Sequence, residues 1–382
     1  MKITEILTYT PGANLARPFA FSQFEYSRRE TALVEVRTEC GVSGWGEAYG
    51  PAGPAVACIE FLAPFLIGRD PRDTEDLWHF LYARSLDYGQ KGSMLAAISA
   101  LDIAFWDLKA REAEQPLYRL LGGAECESIA CYATGFYFGS APMEPRFERE
   151  AARYLSDGFT GVKMKVGLGI ERDAELVGVV RRAVGPSIRL MVDANHAYTP
   201  AEAIALARRI EKHDIFWFEE PVSPLDIEGY LEVKSRTGIR IAGGECEYTR
   251  FGFEPLLRRR AVDYAQPDLC ACGGISEGMK IATLASIHQI HVTPHAWGSA
   301  IGQAAALHFY AARPRHPGTL TLEDKLIECD RTENPLRTKI VRAPVRFEAG
   351  RWHLPETPGL GVEIDREALD SFQRSAFSLA DS

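Results

Sequence analysis

Hydrophobic positions recur along the chain with two different rhythms. Residues 31–38 (TALVEVRT) alternate and are rich in β-formers, and residues 41–48 (GVSGWGEA) follow after a short turn. This pattern predicts a hairpin. Helical spacing takes over at residues 54–66, 73–83 and 93–112, the last with Leu95, Ile98, Leu101, Ile103 and Phe105 on its apolar positions. Strands first and helices after predict an α+β unit over residues 1–125.

From about residue 128 the texture changes. Short apolar runs at 129–134, 161–166, 189–193, 215–219, 239–242, 262–266, 291–294 and 320–323 alternate with helix-like stretches such as 146–157, 171–184 and 200–213. Repeated βα units at this spacing imply a parallel sheet, and eight of them a (β/α)8-type barrel over residues 126–328. The segment 329–382 returns to hairpin-like patterning at 345–354 and is expected to pack back onto the first unit.

A barrel enzyme carries its reactive groups where the strands end. Here the strand ends read Lys163-Met-Lys165, Asp193-Ala-Asn195, Glu219-Glu220, Glu245, Asp268, His295 and Glu323, spaced 28, 26, 26, 23, 27 and 28 residues apart from Lys165 onward. One ionisable group therefore recurs once per βα unit. Solvated surface charge explains a single such residue, but not seven in succession.

The residue types fit together. Asp193, Glu219 and Glu245 end consecutive strands, and three converging carboxylates repel unless a cation lies between them. An all-oxygen donor set favours Mg²⁺; the plainer alternative is three separate salt bridges. Strand alternation makes Glu219 the ligand and Glu220 a supporting or structural residue. Lys163 and Lys165 point the same way and are expected to lower each other's pKa, as a lysine base requires; elsewhere a Lys-x-Lys pair is usually a solvated edge. Asp268 beside His295 makes a catalytic dyad. Glu323, held protonated, could donate a hydrogen bond to a substrate carboxylate. The aromatic run Phe19, Phe21, Phe24 and Tyr26 either belongs to the core or caps the barrel mouth, and Asn195, Tyr49, Phe24 and Trp297 are the expected substrate contacts.

Composition narrows the class. Across 382 residues, 43 Lys+Arg against 52 Asp+Glu leave a net charge of −9, with 46% hydrophobic and 25% charged positions. That is an ordinary globular composition, without an electrostatic footprint for nucleic acid or anionic membrane. The eight cysteines are too sparse for a disulfide scaffold, and Cys270-Ala-Cys272 reads as buried thiols rather than a metal or redox motif. The start Met-Lys-Ile-Thr-Glu shows no apolar leader, so a cytoplasmic location is expected. Neither a dinucleotide fingerprint, a phosphate loop nor a Gly-x-Ser-x-Gly elbow is present.

Together these motifs resemble the enolase superfamily and its mandelate racemase subgroup: Lys163-x-Lys165, Asp193-x-Asn195, Trp217-Phe-Glu-Glu-Pro221, Gly243-Gly-Glu245, Gln266-Pro-Asp268, Pro294-His295 and Glu323. The resemblance covers essentially the whole chain. It implies an α/β fold, a (β/α)7β modified TIM barrel with an α+β capping domain formed by the N-terminal part and the C-terminal tail. It also implies Mg²⁺ on Asp193, Glu219 and Glu245, with Lys165 and His295 as bases on opposite faces of the substrate. Lys163 is then the partner of Lys165, Asp268 that of His295, Glu323 the donor to an enolate, and Asn195 an aid near metal and substrate.

The stretches 190–196, 266–270, 294–298 and 330–335 are similar to galactarolactone cycloisomerases and acid-sugar dehydratases. The implied reaction removes the proton α to a carboxylate of an acid sugar or its lactone and then eliminates a β-oxygen. Racemisation or epimerisation of a sugar acid is the alternative, and a non-catalytic sugar-acid binder is a rival of another class. A zinc hydrolase would want more than the one histidine at these strand ends. A homo-oligomer is expected by the same resemblance, and the small-molecule carboxylate is the only other partner.

Overall fold

The computed structural model describes residues 1–123, 126–140, 142–314 and 326–373. The chain opens with β1 (Ile3–Tyr9), β2 (Gly12–Ala20), β3 (Glu25–Glu30), β4 (Ala32–Thr38) and β5 (Ser43–Ala48). Strands β1, β4 and β5 form an antiparallel sheet, and β2 and β3 pair as a separate hairpin. Helices α1 (Ala52–Leu62), α2 (Thr74–Ser85), α3 (Ser93–Glu112) and the short α4 (Leu117–Leu120) follow.

Helix α3 is apolar almost all round and buried along its length, as a helix between two layers must be. Its close seat on β5 explains the Ser-Gly-Trp-Gly sequence there. A Cβ on Gly46 would stand 1.8 Å from the carbonyl oxygen of Ala100, and one on Gly44 2.3 Å from that of Ala104. Only glycine lets backbone approach backbone so closely.

The barrel strands are β6 (Ser128–Gly135), β7 (Gly161–Lys165), β8 (Arg189–Asp193), β9 (Ile215–Glu219), β10 (Arg240–Gly243), β11 (Tyr264–Ala265), β12 (His291–Val292) and β13 (Leu326–Asp330). Between them run α5 (Glu144–Ser156), α6 (Ile170–Val184), α7 (Pro200–Ile210), α8 (Ile227–Arg236), α9 (Thr249–Arg258), α10 (Gly274–Ile287) and α11 (Ala300–Ala312). Strands β6 to β12 pair in sequence order, and β13 returns to pair in parallel with β6. At the seam between β12 and β13 the Thr293 hydroxyl donates to the Leu326 carbonyl at 3.0 Å. Eight strands and seven helices make the (β/α)7β barrel.

Its interior is a packed layer of Tyr132, Met191, Trp217, Ala242 and Leu326, contributed by β6, β8, β9, β10 and β13. The eighth strand differs from expectation. Residues 320–323, including Glu323, lie outside the described residues, and the strand is Leu326–Asp330. The hairpin β14 (Phe347–Glu348) and β15 (Arg351–His353) also departs from it: β15 pairs antiparallel with β6 and so extends the barrel's sheet. The segment beyond it does reach the N-terminal unit, where Arg111 donates to the Val362 carbonyl and Arg366 binds Glu35. A last helix, α12 (Arg366–Ser371), ends the described chain. No helix among the described residues is long and apolar enough to cross a membrane.

Buried carboxylates join cap to barrel. Glu47, at the end of β5, accepts from the Ser299 amide at 2.8 Å, the Ser299 hydroxyl at 2.6 Å and the Gly302 amide at 2.7 Å, the first turn of α11. Asp102 of α3 does the same for α10, accepting from the Ser276 amide at 2.9 Å and its hydroxyl at 2.6 Å. Each carboxylate fills a helix N-terminus on the other unit.

Two measurements follow. Glu47→Ala leaves those donors unpaired in a dry interface and should cost about 3 kcal/mol in denaturant unfolding. Burial pushes the Asp102 carboxyl up to about 7, against the hydrogen bonds from Ser276. A raised folded pKa means that the native state binds the extra proton, so stability falls as pH rises from about 4 to 7. Asp102→Asn should flatten that part of the wild-type melting-temperature profile; an unchanged slope would refute the assignment.

Candidate active site

Strand register sets the site. Lys165 pairs with Asp193 across β7 and β8, and Asp193 with Glu219 across β8 and β9, so three charged side chains share one level at the barrel mouth. Glu245 follows β10 after the Gly243-Gly244 turn. One carboxylate oxygen each from Asp193, Glu219 and Glu245 lie within 4.8 Å of one another. Asn195 and Glu220, just past β8 and β9, have φ of 41° and 40°, a left-handed backbone that side chains rarely adopt. Such positions persist where surrounding structure enforces them, typically at functional loops.

Hydrogen bonds orient the triad. Lys163 Nζ stands 2.5 Å from Glu219 Oε1 and 3.0 Å from Glu328 Oε1, while the Trp217 indole donates to Glu219 Oε2 at 3.0 Å. Lys165 Nζ donates to Asp193 Oδ2 at 2.5 Å and to Asn195 Oδ1 at 2.7 Å. Asn195 in turn donates to Glu245 Oε1 at 3.1 Å. Across the mouth, His295 Nδ1 lies 2.6 Å from Asp268 Oδ2, and its Nε2 3.6 Å from Glu245 Oε2. The Tyr49 ring meets the His295 ring edge-on at 5.4 Å.

The charge states correct one expectation. The lysine pair is not depressed: burial does lower both, but Asp193 holds Lys165, and Glu219 and Glu328 hold Lys163, above the usual lysine range. The mutual repulsion of the two ammonium groups is real but outweighed by nearer carboxylates. Burial pushes Glu219 up to about 7 despite Lys163, with Asp193, Glu245 and Glu328 adding repulsion. Against the opposing effect of burial, Glu245 and Asp268 raise His295 to about 10.

The expected acid of the eighth strand, Glu323, lies outside the described residues; among the described residues that strand brings Glu328 to the mouth. Lys163, His295 and the Thr134 hydroxyl overcome its burial and hold it down to about 2, so it is an ionised acceptor rather than a neutral donor. Its signal was the run Leu326-Ile-Glu-Cys-Asp330, a strand pattern displaced from the regular spacing.

A small cavity of about 30 Å³ is lined by Lys165, Asn195, Glu245, His295 and Glu328, with Phe21, Tyr26, Tyr49, Tyr137 and Trp297 closing it. The expected contacts Asn195, Tyr49 and Trp297 are thus at the mouth. Phe24 is not; it is two-thirds exposed and lines a neighbouring cavity of about 400 Å³ that shares Tyr26, Tyr49 and Trp297 with the first.

The hairpin β2–β3 is the cover. At its tip the Ser22 hydroxyl donates to the Ala194 carbonyl at 2.8 Å, and Phe21 lies 5.7 Å from Lys165 Nζ. Its base is pinned by buried Arg29, which donates to Asp330 at 2.7 Å and stacks on Trp297 at 3.4 Å. Sequence reading did not single out Arg29, Ser22 or Tyr137.

The fold and site define a barrel with acid–base groups facing across a carboxylate cluster. Residues 146–368 match the model for the enolase C-terminal domain-like family, and residues 3–122 that for the mandelate racemase/muconate lactonizing enzyme N-terminal domain. The chain belongs to the mandelate racemase/muconate lactonizing enzyme family of the enolase superfamily. It is 42% identical to a D-galactarolactone cycloisomerase of Agrobacterium fabrum over 98% of this chain and 99% of that one. A 3,6-anhydro-D-galactonate cycloisomerase from Zobellia galactanivorans superposes with a TM-score of 0.90 at 42% identity, over 98% of this chain and 100% of that one. A mutant L-talarate/galactarate dehydratase liganded with Mg and L-glucarate superposes at 0.87, with 28% identity over 98% and 92% of the two chains.

Arg29→Ala should loosen the cover. Breaking a buried ion pair costs about 3–5 kcal/mol, less here because Arg337 also binds Asp330 at 2.6 Å. Limited proteolysis should then cut within residues 12–30 sooner than in the parent; equal protection would show that the hairpin is held elsewhere.

Proposed function

We propose that the chain removes the proton α to a carboxylate of an acid sugar or its lactone and then expels a β-oxygen, as a dehydratase or lactone cycloisomerase. The observation that carries this reading is the pair Lys165 and His295, lining one cavity with Glu245 and Asn195. The donor set fits a hard divalent ion: three carboxylates, oxygen only, with Glu219 pushed up by burial and by its carboxylate neighbours. Asp193, Glu219 and Glu245 would hold Mg²⁺, which when bound neutralises charge on the substrate carboxylate.

The chain's own residues supply the rest. Lys165 Nζ or His295 Nε2 takes the α-proton, according to the configuration at that carbon. Asn195 steadies Lys165 and Glu245 together, and Asp268 fixes the ring of His295 so that Nε2 faces the cavity. Departure of the β-oxygen is helped by the group that did not act as base, protonated at Lys165 Nζ or His295 Nε2. Tyr49, Trp297 and the aromatic tip of the hairpin exclude water while the carbanionic intermediate persists.

The same pair of proton carriers also supports a second reading, reprotonation from the opposite face to give the epimer. The similarity to galactarolactone cycloisomerase and the sugar-acid dehydratase favours elimination.

Three measurements decide. Incubation of aldonates, aldarates and their lactones with Mg²⁺ in D₂O should give keto acid or opened lactone with α-deuterium uptake; exchange without elimination would select the epimerase, and no exchange would leave a binder. Lys165→Ala and His295→Asn should each abolish turnover of substrates of one α-configuration. By analogy with lost oxyanion stabilisation, Glu245→Gln should lower turnover by about 10²–10³-fold, and EDTA should abolish it until Mg²⁺ is restored.

A further inference from the structure

Directly beside the acidic triad, the same three strand ends assemble a second and chemically different set of donors. His196 lies three residues past Asp193, Glu220 one past Glu219 and Cys246 one past Glu245. An imidazole nitrogen, a carboxylate oxygen and the thiol sulfur of these residues all lie within 4.8 Å of one another. The backbone holds them there: the His196 amide donates to the Glu220 carbonyl at 2.8 Å, and the Glu220 amide to that of Ala242 at 3.0 Å.

Glu220 makes this more than a coincidence of neighbours. Its side chain is fully buried, and its Oε1 has no hydrogen-bond partner. Its Oε2 has only the Cys246 thiol, at a long 4.0 Å. Burying a carboxyl oxygen without a partner is costly, and buried polar atoms are rarely left so. Among the described residues no lysine or arginine is bonded to Glu220, whereas Lys163 and Lys165 serve the triad.

We propose that His196, Glu220 and Cys246 form a second metal site, for a borderline-soft divalent ion of the Zn²⁺ type. Nitrogen, thiolate and carboxylate together are the ligands such an ion selects, and three of them leave one tetrahedral position open. A hard ion such as Mg²⁺ has no use for the sulfur. Binding forms a metal–sulfur bond as the Cys246 thiol loses its proton to solvent. His196 and Cys246 are only partly buried, so the ion has a way in. The ion would cross-link the loops after β8, β9 and β10, the three that carry the triad. The proposal stands on these side chains and does not depend on the reaction assigned above.

The test uses the full chain in saturating Mg²⁺, titrated with Co²⁺ as a spectroscopic substitute. A thiolate-to-cobalt charge-transfer band should appear in the near ultraviolet, saturate at one ion per chain and disappear when Zn²⁺ is added. Cys246→Ser and Glu220→Gln should lose the band, whereas Glu245→Gln, which changes the triad and leaves all three proposed ligands in place, should keep it. Failure of the Mg²⁺ assignment is thereby distinguished from failure of this one. An experiment free of variants accompanies it: Zn²⁺ should protect Cys246 of the parent from iodoacetamide, read by peptide mass spectrometry, with exposed Cys40 as the unprotected control. No band in the parent, a band that survives Cys246→Ser, or alkylation of Cys246 indifferent to Zn²⁺ would each overturn the site.

Discussion

The concentration of charge at one end of the barrel is the constraint to which the rest of the molecule answers. Asp193, Glu219, Glu220 and Glu328 are all essentially buried, and among the described residues Lys163, Lys165 and His295 are the cations that stand between them. Carboxylates so close in a low-dielectric interior repel strongly, and each must be matched by a cation, a hydrogen bond or a proton. The uneven outcome is informative. Asp193 and Glu328, bonded to lysine, amide and hydroxyl donors, are held near 2, while Glu219 next to them is pushed up to about 7. Burial, with the carboxylates of Asp193, Glu245 and Glu328, outweighs Lys163 at Glu219, while the carboxylates around the two lysines hold both above the usual lysine range. On the proposed reading base and metal are linked, because an ion on Asp193 would weaken its hold on the Lys165 proton.

Such a site needs a rigid frame and a separate cover, and the chain builds the two from different kinds of contact. The frame is apolar, a barrel filled by Tyr132, Trp217 and Met191. The cover is tied down by buried polar groups at a few points, Glu47 on α11, Asp102 on α10 and Arg29 on Asp330. Carboxylates at helix N-termini fix orientation more sharply than apolar contact does, because each amide direction is set by the helix. The cap therefore has a defined angle over the mouth, while its hairpin meets the barrel rim through a few hydrogen bonds and through the rings of Phe19 and Tyr26 against Tyr137 and Trp297.

Much of this was legible in the chain because βα repetition leaves a regular signal. Strands at 189–193 and 215–219 are where alternation placed them, since a buried parallel strand in this barrel is a short apolar run ended by one charged residue. The eighth strand was expected at 320–323, residues outside the described ones, because that apolar run falls at the regular interval; the described strand, Leu326–Asp330, falls later than that interval. The lysine charge states were misread for a different reason. Two lysines two residues apart are visible in the sequence, but the carboxylates that hold them are brought from β8, β9 and β13, and only the fold shows that opposite charges are the nearer ones. The hairpin at 345–354 looked like a local unit, yet its partner strand, β6, lies more than 200 residues earlier. Nothing local encodes that pairing.

The mouth of the site also bears on how substrate enters. A cavity of about 30 Å³ holds little more than water, far less than the roughly 300 Å³ or more usual for a small-molecule site. The neighbouring cavity of about 400 Å³ is large enough, and Tyr26, Tyr49 and Trp297 border both. Were an acid sugar to bind as proposed, with its carboxylate at the triad, the space open to the rest of it is this larger cavity, which Arg28 and Asn334 also line. Phe21 and Tyr26 of the hairpin line the smaller one. The tip is held by hydrogen bonds from Ser22 and Gln23 to the backbone of Ala194 and Asn195, the same turn whose side chain steadies Lys165. The hairpin tip and the side chain bonded to Lys165 are therefore tied to one and the same turn.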